Sequence, residues 1–108
     1  MRNDIIAKIK TARAEAQTKV NAYKNLTAKQ YDYWRALATV IAYHGALALF
    51  EQGTEHKIPD MATTAIADFE IVREGEIPIP EMALAVADGR RDALASVADW
   101  MTTEESNR

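Results

Sequence analysis

Few side chains in this sequence could carry out nucleophilic, acid–base or metal chemistry. There is no cysteine, which excludes thiolate nucleophiles, thiolate zinc sites and disulfides. The serines are Ser96 and Ser106, and the histidines are His44 and His56. A serine triad would have to be built on Ser96 without any supporting motif. Glu55 and His56 are adjacent, so they cannot both turn from one helix face to one metal. The Glu-x-x-His pair of di-iron bundles is missing, and so is a Gly-rich phosphate loop. The sequence therefore predicts a non-enzymatic protein with no catalytic residue, no metal and no cofactor. His44, next to Gly45 in the most apolar stretch, is expected to be buried or interfacial and held by a hydrogen bond. Its sharper alternative is a ligand or pH-switch role, in a pocket shared with Trp34 and Tyr43.

Recognition chemistry is better represented. The segment Tyr31-Asp32-Tyr33-Trp34-Arg35 combines the residue types that concentrate at interface hot spots. The plainer reading puts Tyr31 and Trp34 in the core and pairs Asp32 with Arg35 on the surface at i, i+3. Further along, Glu81, Asp88, Asp92 and Asp99 fall within about 40° of each other on a 3.6-residue helical wheel. They form an acidic stripe opposite Ala83, Val86, Ala87, Leu94, Val97 and Met101. Such a stripe is either a solvated outer face or a surface for a basic partner. That partner could be the first helix of another copy or a protein with a basic groove. Arg90 interrupts the pattern by pointing into the apolar side. An unpaired guanidinium there is costly, so the helix is expected to break near Gly89, or Arg90 to find a carboxylate, or that surface to be open for a partner; alternatively the pair Arg90-Arg91, between Asp88 and Asp92, forms local ion pairs at the surface.

Charge is unevenly distributed. Residues 1–35 carry a net +5 and residues 36–108 a net −8, for −3 overall. The basic first segment raises a nucleic-acid-binding alternative. Against it, Lys8 and Lys19 fall on one flank of the apolar stripe, and Lys10, Arg13 and Lys24 toward the other. That is how charges edge a packed seam, not how they build a phosphate-binding face. The N-terminus lacks the apolar core of a signal peptide. The longest apolar run, 36–50, is short for a membrane span of ~20 residues. A cytoplasmic protein with no membrane contact is expected.

These residues need elements to position them. Ile5, Ile9, Ala12, Ala16, Val20 and Tyr23 recur at spacings of three and four, predicting a first helix over about 4–24. A second is predicted over about 28–52. Thr27 and Gln30 fit a capping box at its start, Leu26 and Tyr31 a hydrophobic staple, and Gly53 its stop. Pro59 and Pro80 mark the starts of a third helix, to about Arg73 before Gly75, and a fourth, to about Met101. Gly89 is expected to bend or split the fourth. The start Ile58-Pro59-Asp60-Met61-Ala62 recurs as Ile79-Pro80-Glu81-Met82-Ala83, which reads as two similar helix-start signals. The second helix has one apolar face with Trp34, Leu37, Ala38, Ile41, Gly45, Ala48 and Leu49. Its other apolar face carries Tyr33, Ala36, Val40, Tyr43 and Leu47. A helix apolar all round must be covered all round, by its own chain or by a partner.

The sequence thus predicts an all-α bundle of about four helices with a long apolar central helix. A single domain would span 1–101, followed by a flexible polar tail over 102–108. With 20 alanines against 6 leucines and 2 phenylalanines, little bulky core is available. The function that fits is a protein–protein interaction factor (accessory, regulatory or inhibitory) that also forms homo-oligomers. The expected interface residues are Tyr31, Tyr33, Trp34, Arg35, Tyr43, Glu81, Asp88, Arg90, Asp92 and Asp99.

Overall fold

A computed structural model describes residues 2–75 and 79–106. Four helices follow in order: α1 (Arg2–Tyr23), α2 (Gln30–Gln52), α3 (Ile58–Glu74) and α4 (Glu81–Ser106). Short 3-10 turns at Thr27–Lys29 and Glu55–Lys57 lead into α2 and α3. The fold is all-α, with no strand among the described residues.

The helix ends follow from local chemistry. Gly53 takes the left-handed conformation (φ 72°) that side chains disfavour. There its N–H donates to the Phe50 carbonyl at 3.2 Å, and that of Thr54 to the Leu49 carbonyl at 2.9 Å, closing α2 in a Schellman motif. Pro59 lies in the first turn of α3, where its missing N–H costs no helix bond. The Pro80 carbonyl accepts from Ala83 and Leu84 at the start of α4.

The start of α2 differs from the sequence expectation. No side chain caps it, because the chain enters through a 3-10 turn in which the Lys29 N–H donates to the Leu26 carbonyl at 2.9 Å. Gln30 Nε2 turns back onto that same carbonyl at 3.1 Å, and Leu26 is 49% exposed, so neither capping box nor staple forms. Helix α4 is also continuous through Gly89. It extends to Ser106, past the end expected at Met101, while residues 107 and 108 of the expected tail lie outside the described part.

Helix α2 packs most extensively against α4 and also against α1, while α3 lies on α4. Helices α1 and α4 touch only slightly. The main core joins Ile5 and Ile9 of α1 and Tyr43, Ala46, Leu47 and Phe50 of α2. Ile58 of α3 and Ala93 and Val97 of α4 complete it. Ala62, Ala65 and Leu94 form a smaller cluster between α3 and α4. Of the 18 buried apolar side chains among the described residues, eight are alanine, so the helices approach closely around few bulky groups. Helix α2 is therefore covered on two sides and open on a third. None of the helices is long and apolar enough to cross a membrane.

Candidate functional site

Two features of α2 stand out: a polar knot near its start and an uncovered apolar face along its middle. The knot forms where α2 crosses α4. Tyr31 Oη donates to Asp88 Oδ2 at 2.7 Å, and Arg35 Nε donates to the same oxygen at 3.1 Å. A terminal guanidinium nitrogen of Arg35 also pairs with Asp92 Oδ2. From the other side, Arg91 Nη2 donates to Asp88 Oδ1 at 2.6 Å and Asp92 Oδ1 at 3.1 Å. The Arg91 guanidinium lies 3.9 Å from the Phe69 ring centroid, which ties α3 to the same cluster. Burial, followed by the Asp88 hydrogen bond and charge, pushes the Tyr31 phenol up to about 12.

Close helix approach makes this knot possible. Gly89 is buried, and a Cβ built on it would collide with the Arg35 carbonyl oxygen and sit 2.9 Å from Thr39 Oγ1. Thr39 Oγ1 donates to the Arg35 carbonyl at 2.8 Å and lies 3.4 Å from that of Gly89. Gly89 thus admits the α2 backbone rather than breaking α4.

Several sequence expectations change as a result. Asp32 does not pair with Arg35; it faces Lys29 at 3.8 Å, because the two carboxylates of α4 engage Arg35. The acidic stripe is not an unbroken negative surface. Asp88 and Asp92 are held by two arginines, whereas Glu81 and Asp99 are exposed. Arg90 is half-buried on an unbroken helix, so no helix break accommodates it, and among the described residues it makes no ion pair. It lies on the side of α4 where Met82 and Val86 are exposed. Tyr33 and Trp34 are half-buried with their rings edge to face, 5.2 Å between centroids. Tyr43 is buried and stacks with Trp100 at 6.4 Å.

The second feature is the face of α2 carrying Ile41, His44 and Gly45. All three are exposed, Ile41 to 63%. Of the two expectations for His44, buried or interfacial, the buried one is overturned, because among the described residues no helix packs directly over this side. Residues 36–50 contain no acidic or basic side chain apart from that imidazole. The opposite face, with Ala36, Tyr43 and Leu47, is buried as a packing face should be.

The chain matches no protein-family model, no curated protein and no solved structure.

Clefts flank α1 on both sides. One of about 300 Å³ between α1, α2 and α4 is lined by Glu15, Lys19, Arg35, Tyr43, Asp92 and Ser96. It takes in Tyr43 but neither His44 nor Trp34. Another, of about 490 Å³ between α1 and α2, is lined by Lys10, Arg13, His44 and Glu51. The cations of α1 are thereby divided, Lys19 toward α4 and Lys10 and Arg13 toward the open side of α2. Among the described residues no three histidine or carboxylate side chains are grouped to hold a metal ion. Arg91 makes the local ion pairs with Asp88 and Asp92 that the sequence offers for Arg90-Arg91, and Gly89 has the different role of a close approach; Phe69 is the residue of this cluster that sequence reasoning missed.

Proposed function

We propose that this protein is a small non-enzymatic interaction factor, accessory, regulatory or inhibitory, whose working surface is the open face of α2. One observation carries this reading: a long helix in the middle of the chain leaves Ile41 63% exposed beside the exposed His44 and Gly45. Fully burying a side chain of this size is worth about 1.5–3 kcal/mol, and a chain whose core is so rich in alanine has strong reason to use it. The acidic stripe of α4 is the weaker candidate, since Arg35 and Arg91 already hold two of its four carboxylates.

The test is capture of binding proteins from cells that express the chain, with wild type and Ile41→Glu compared side by side. The reading expects proteins retained by wild type and lost with Ile41→Glu at equal folded content. Identical sets on both would overturn it.

A further inference from the structure

We propose that the cleft between α1 and α2 beside His44 binds a small phosphate monoester with a short apolar body, its phosphate held by Lys10, Arg13 and His44. This goes beyond the reading of Ile41 as a contact residue, since Ile41 does not line the cleft.

Uncompensated charge is the first argument. Arg2, Arg35, Arg73 and Arg91 each meet a carboxylate. Arg13 is half-buried beside the cleft and makes no ion pair among the described residues, and neither does Lys10. On the other flank of α1 the balance is reversed. Lys19 and Arg35 share that cleft with Glu15, Asp32 and Asp92, and Arg35 is already held by Asp88 and Asp92. Beside His44, two full cations and an imidazole face one carboxylate, Glu51.

Placement is the second. Arg2, at the start of α1, reaches the Phe50 carbonyl near the end of α2, while Tyr23, at the other end of α1, shares a cleft with Asp32. The two helices are therefore antiparallel. Lys10 and Arg13 stand level with His44, and Asn3 and Ile6 level with Glu51. From His44 to Glu51 the helix rises about 10 Å, so the carboxylate sits at the far end from the cations. Lys10 and Arg13 are neighbours one turn apart, and the imidazole offers an N–H in either protonation state.

Shape and chemistry name the ligand class. The three donor groups match the three terminal oxygens of a phosphate monoester, and Arg and Lys are its usual cationic partners. Ile6, Leu47 and Ala48 give the cleft an apolar wall between its two ends. Its volume of about 490 Å³ lies within the range of about 300–1,000 Å³ found for small-molecule sites. Lys10 and His44 are exposed, so binding should weaken as salt rises.

The experiment is calorimetric titration of the full chain with octyl phosphate at low salt, below micelle formation. Amide shifts in NMR spectra locate the site. Saturable one-to-one binding is expected, with shifts on the facing sides of α1 and α2. Arg13→Gln should weaken it about tenfold, the scale of one hydrogen bond to a charged group, with helix content unchanged. Glu51→Gln should tighten it about twofold, because a repelling charge is removed across water. Octylammonium should not bind, and inorganic phosphate should bind more weakly than the ester. Vesicles of phosphatidylglycerol should not sediment the protein. No saturable binding overturns the proposal, as does equal binding by Arg13→Gln or by octylammonium. Weaker binding by Glu51→Gln would overturn the anion assignment, and inorganic phosphate binding as well as the ester would overturn the apolar body. Vesicle sedimentation abolished by Arg13→Gln would replace the free ester with a lipid headgroup. The capture comparison with Ile41→Glu is independent of all these outcomes, so either reading can fail alone.

Discussion

Asp88 accepts from three donors contributed by two helices: Tyr31 and Arg35 of α2 and Arg91 of its own α4. One of those donors is the Tyr31 phenol, whose own ionisation the contact opposes. The phenol is raised from its ordinary value to about 12, first by burial and then by Asp88, because ionising it would place a second anion beside the carboxylate. A tyrosine whose folded value lies above its unfolded value stabilises the fold fully below the unfolded value. That contribution is lost as pH rises through the folded value. Stability should therefore fall between about pH 10 and pH 12. Tyr31→Phe should flatten this decline and cost about 1 kcal/mol at neutral pH, the usual worth of one hydrogen bond. Chemical denaturation of the two proteins at pH 7 and at alkaline pH measures both effects, and identical alkaline slopes would contradict the assignment. The histidine shows the opposite limit of residue reading. His44 has apolar neighbours in sequence, yet it is exposed, because burial depends on which side of α2 the other helices occupy.

The two helix-interior glycines separate what an element needs from what its sequence suggests. At Gly89, alanine would gain about 1 kcal/mol of helix propensity. It would also drive a methyl group into the Arg35 carbonyl, a backbone atom that cannot swing away. Overpacking of this kind costs about 1–3 kcal/mol and acts on both helices of the polar knot, so it should win. Gly89→Ala is expected to lower stability by up to roughly 2 kcal/mol net. Thermal or denaturant unfolding measures this, and a stabilised variant would mean that the crossing has slack. The helices themselves were legible from capping glycines, helix-start prolines and apolar spacing, since those signals act within one turn of chain. Thus Gly53, Pro59, Gly75 and Pro80 all sit at the boundaries expected of them. The repeated Ile-Pro start shows where that legibility ends. Ile58 is fully buried in the main core, whereas Ile79 is 38% exposed, because the two helix starts meet different surroundings. The continuity of α4 and the pairing of Arg35 with Asp88 and Asp92 were likewise hidden. Both depend on α2 lying against Gly89, more than fifty residues away along the chain.

At the scale of the molecule, the helices are unequally anchored. The chain measures 44 × 32 × 23 Å, an elongated form for a bundle with so few bulky core residues. Helices α2 and α4 share the main core and the polar knot, and α3 is fixed to α4 through Ala62, Ala65, Leu94 and the stacking of Arg91 on Phe69. Helix α1 rests mainly on α2, with clefts along both of its flanks. In 22 residues it buries only Ile5, Ile9, Ala16 and Val20. At its N-terminal end Arg2 pairs with Glu55 at 3.1 Å and donates to the Phe50 carbonyl. Elements with few buried apolar contacts open before the rest of a domain does. The amides of α1 should therefore exchange with deuterium through local opening, at least tenfold faster than those in the middle of α2 and α4, a difference of about 1.4 kcal/mol. Within α1, the segment around Ile5 and Ile9 should be the better protected, because both side chains belong to the main core. The same measurement bears on the exposed side of α2. Protection there should come from packing on α1 and α4 alone at low concentration, and rise with concentration only if that face is covered by a second molecule. Uniform protection across all four helices would show instead that the bundle opens as one unit, with α1 held as firmly as the core pair.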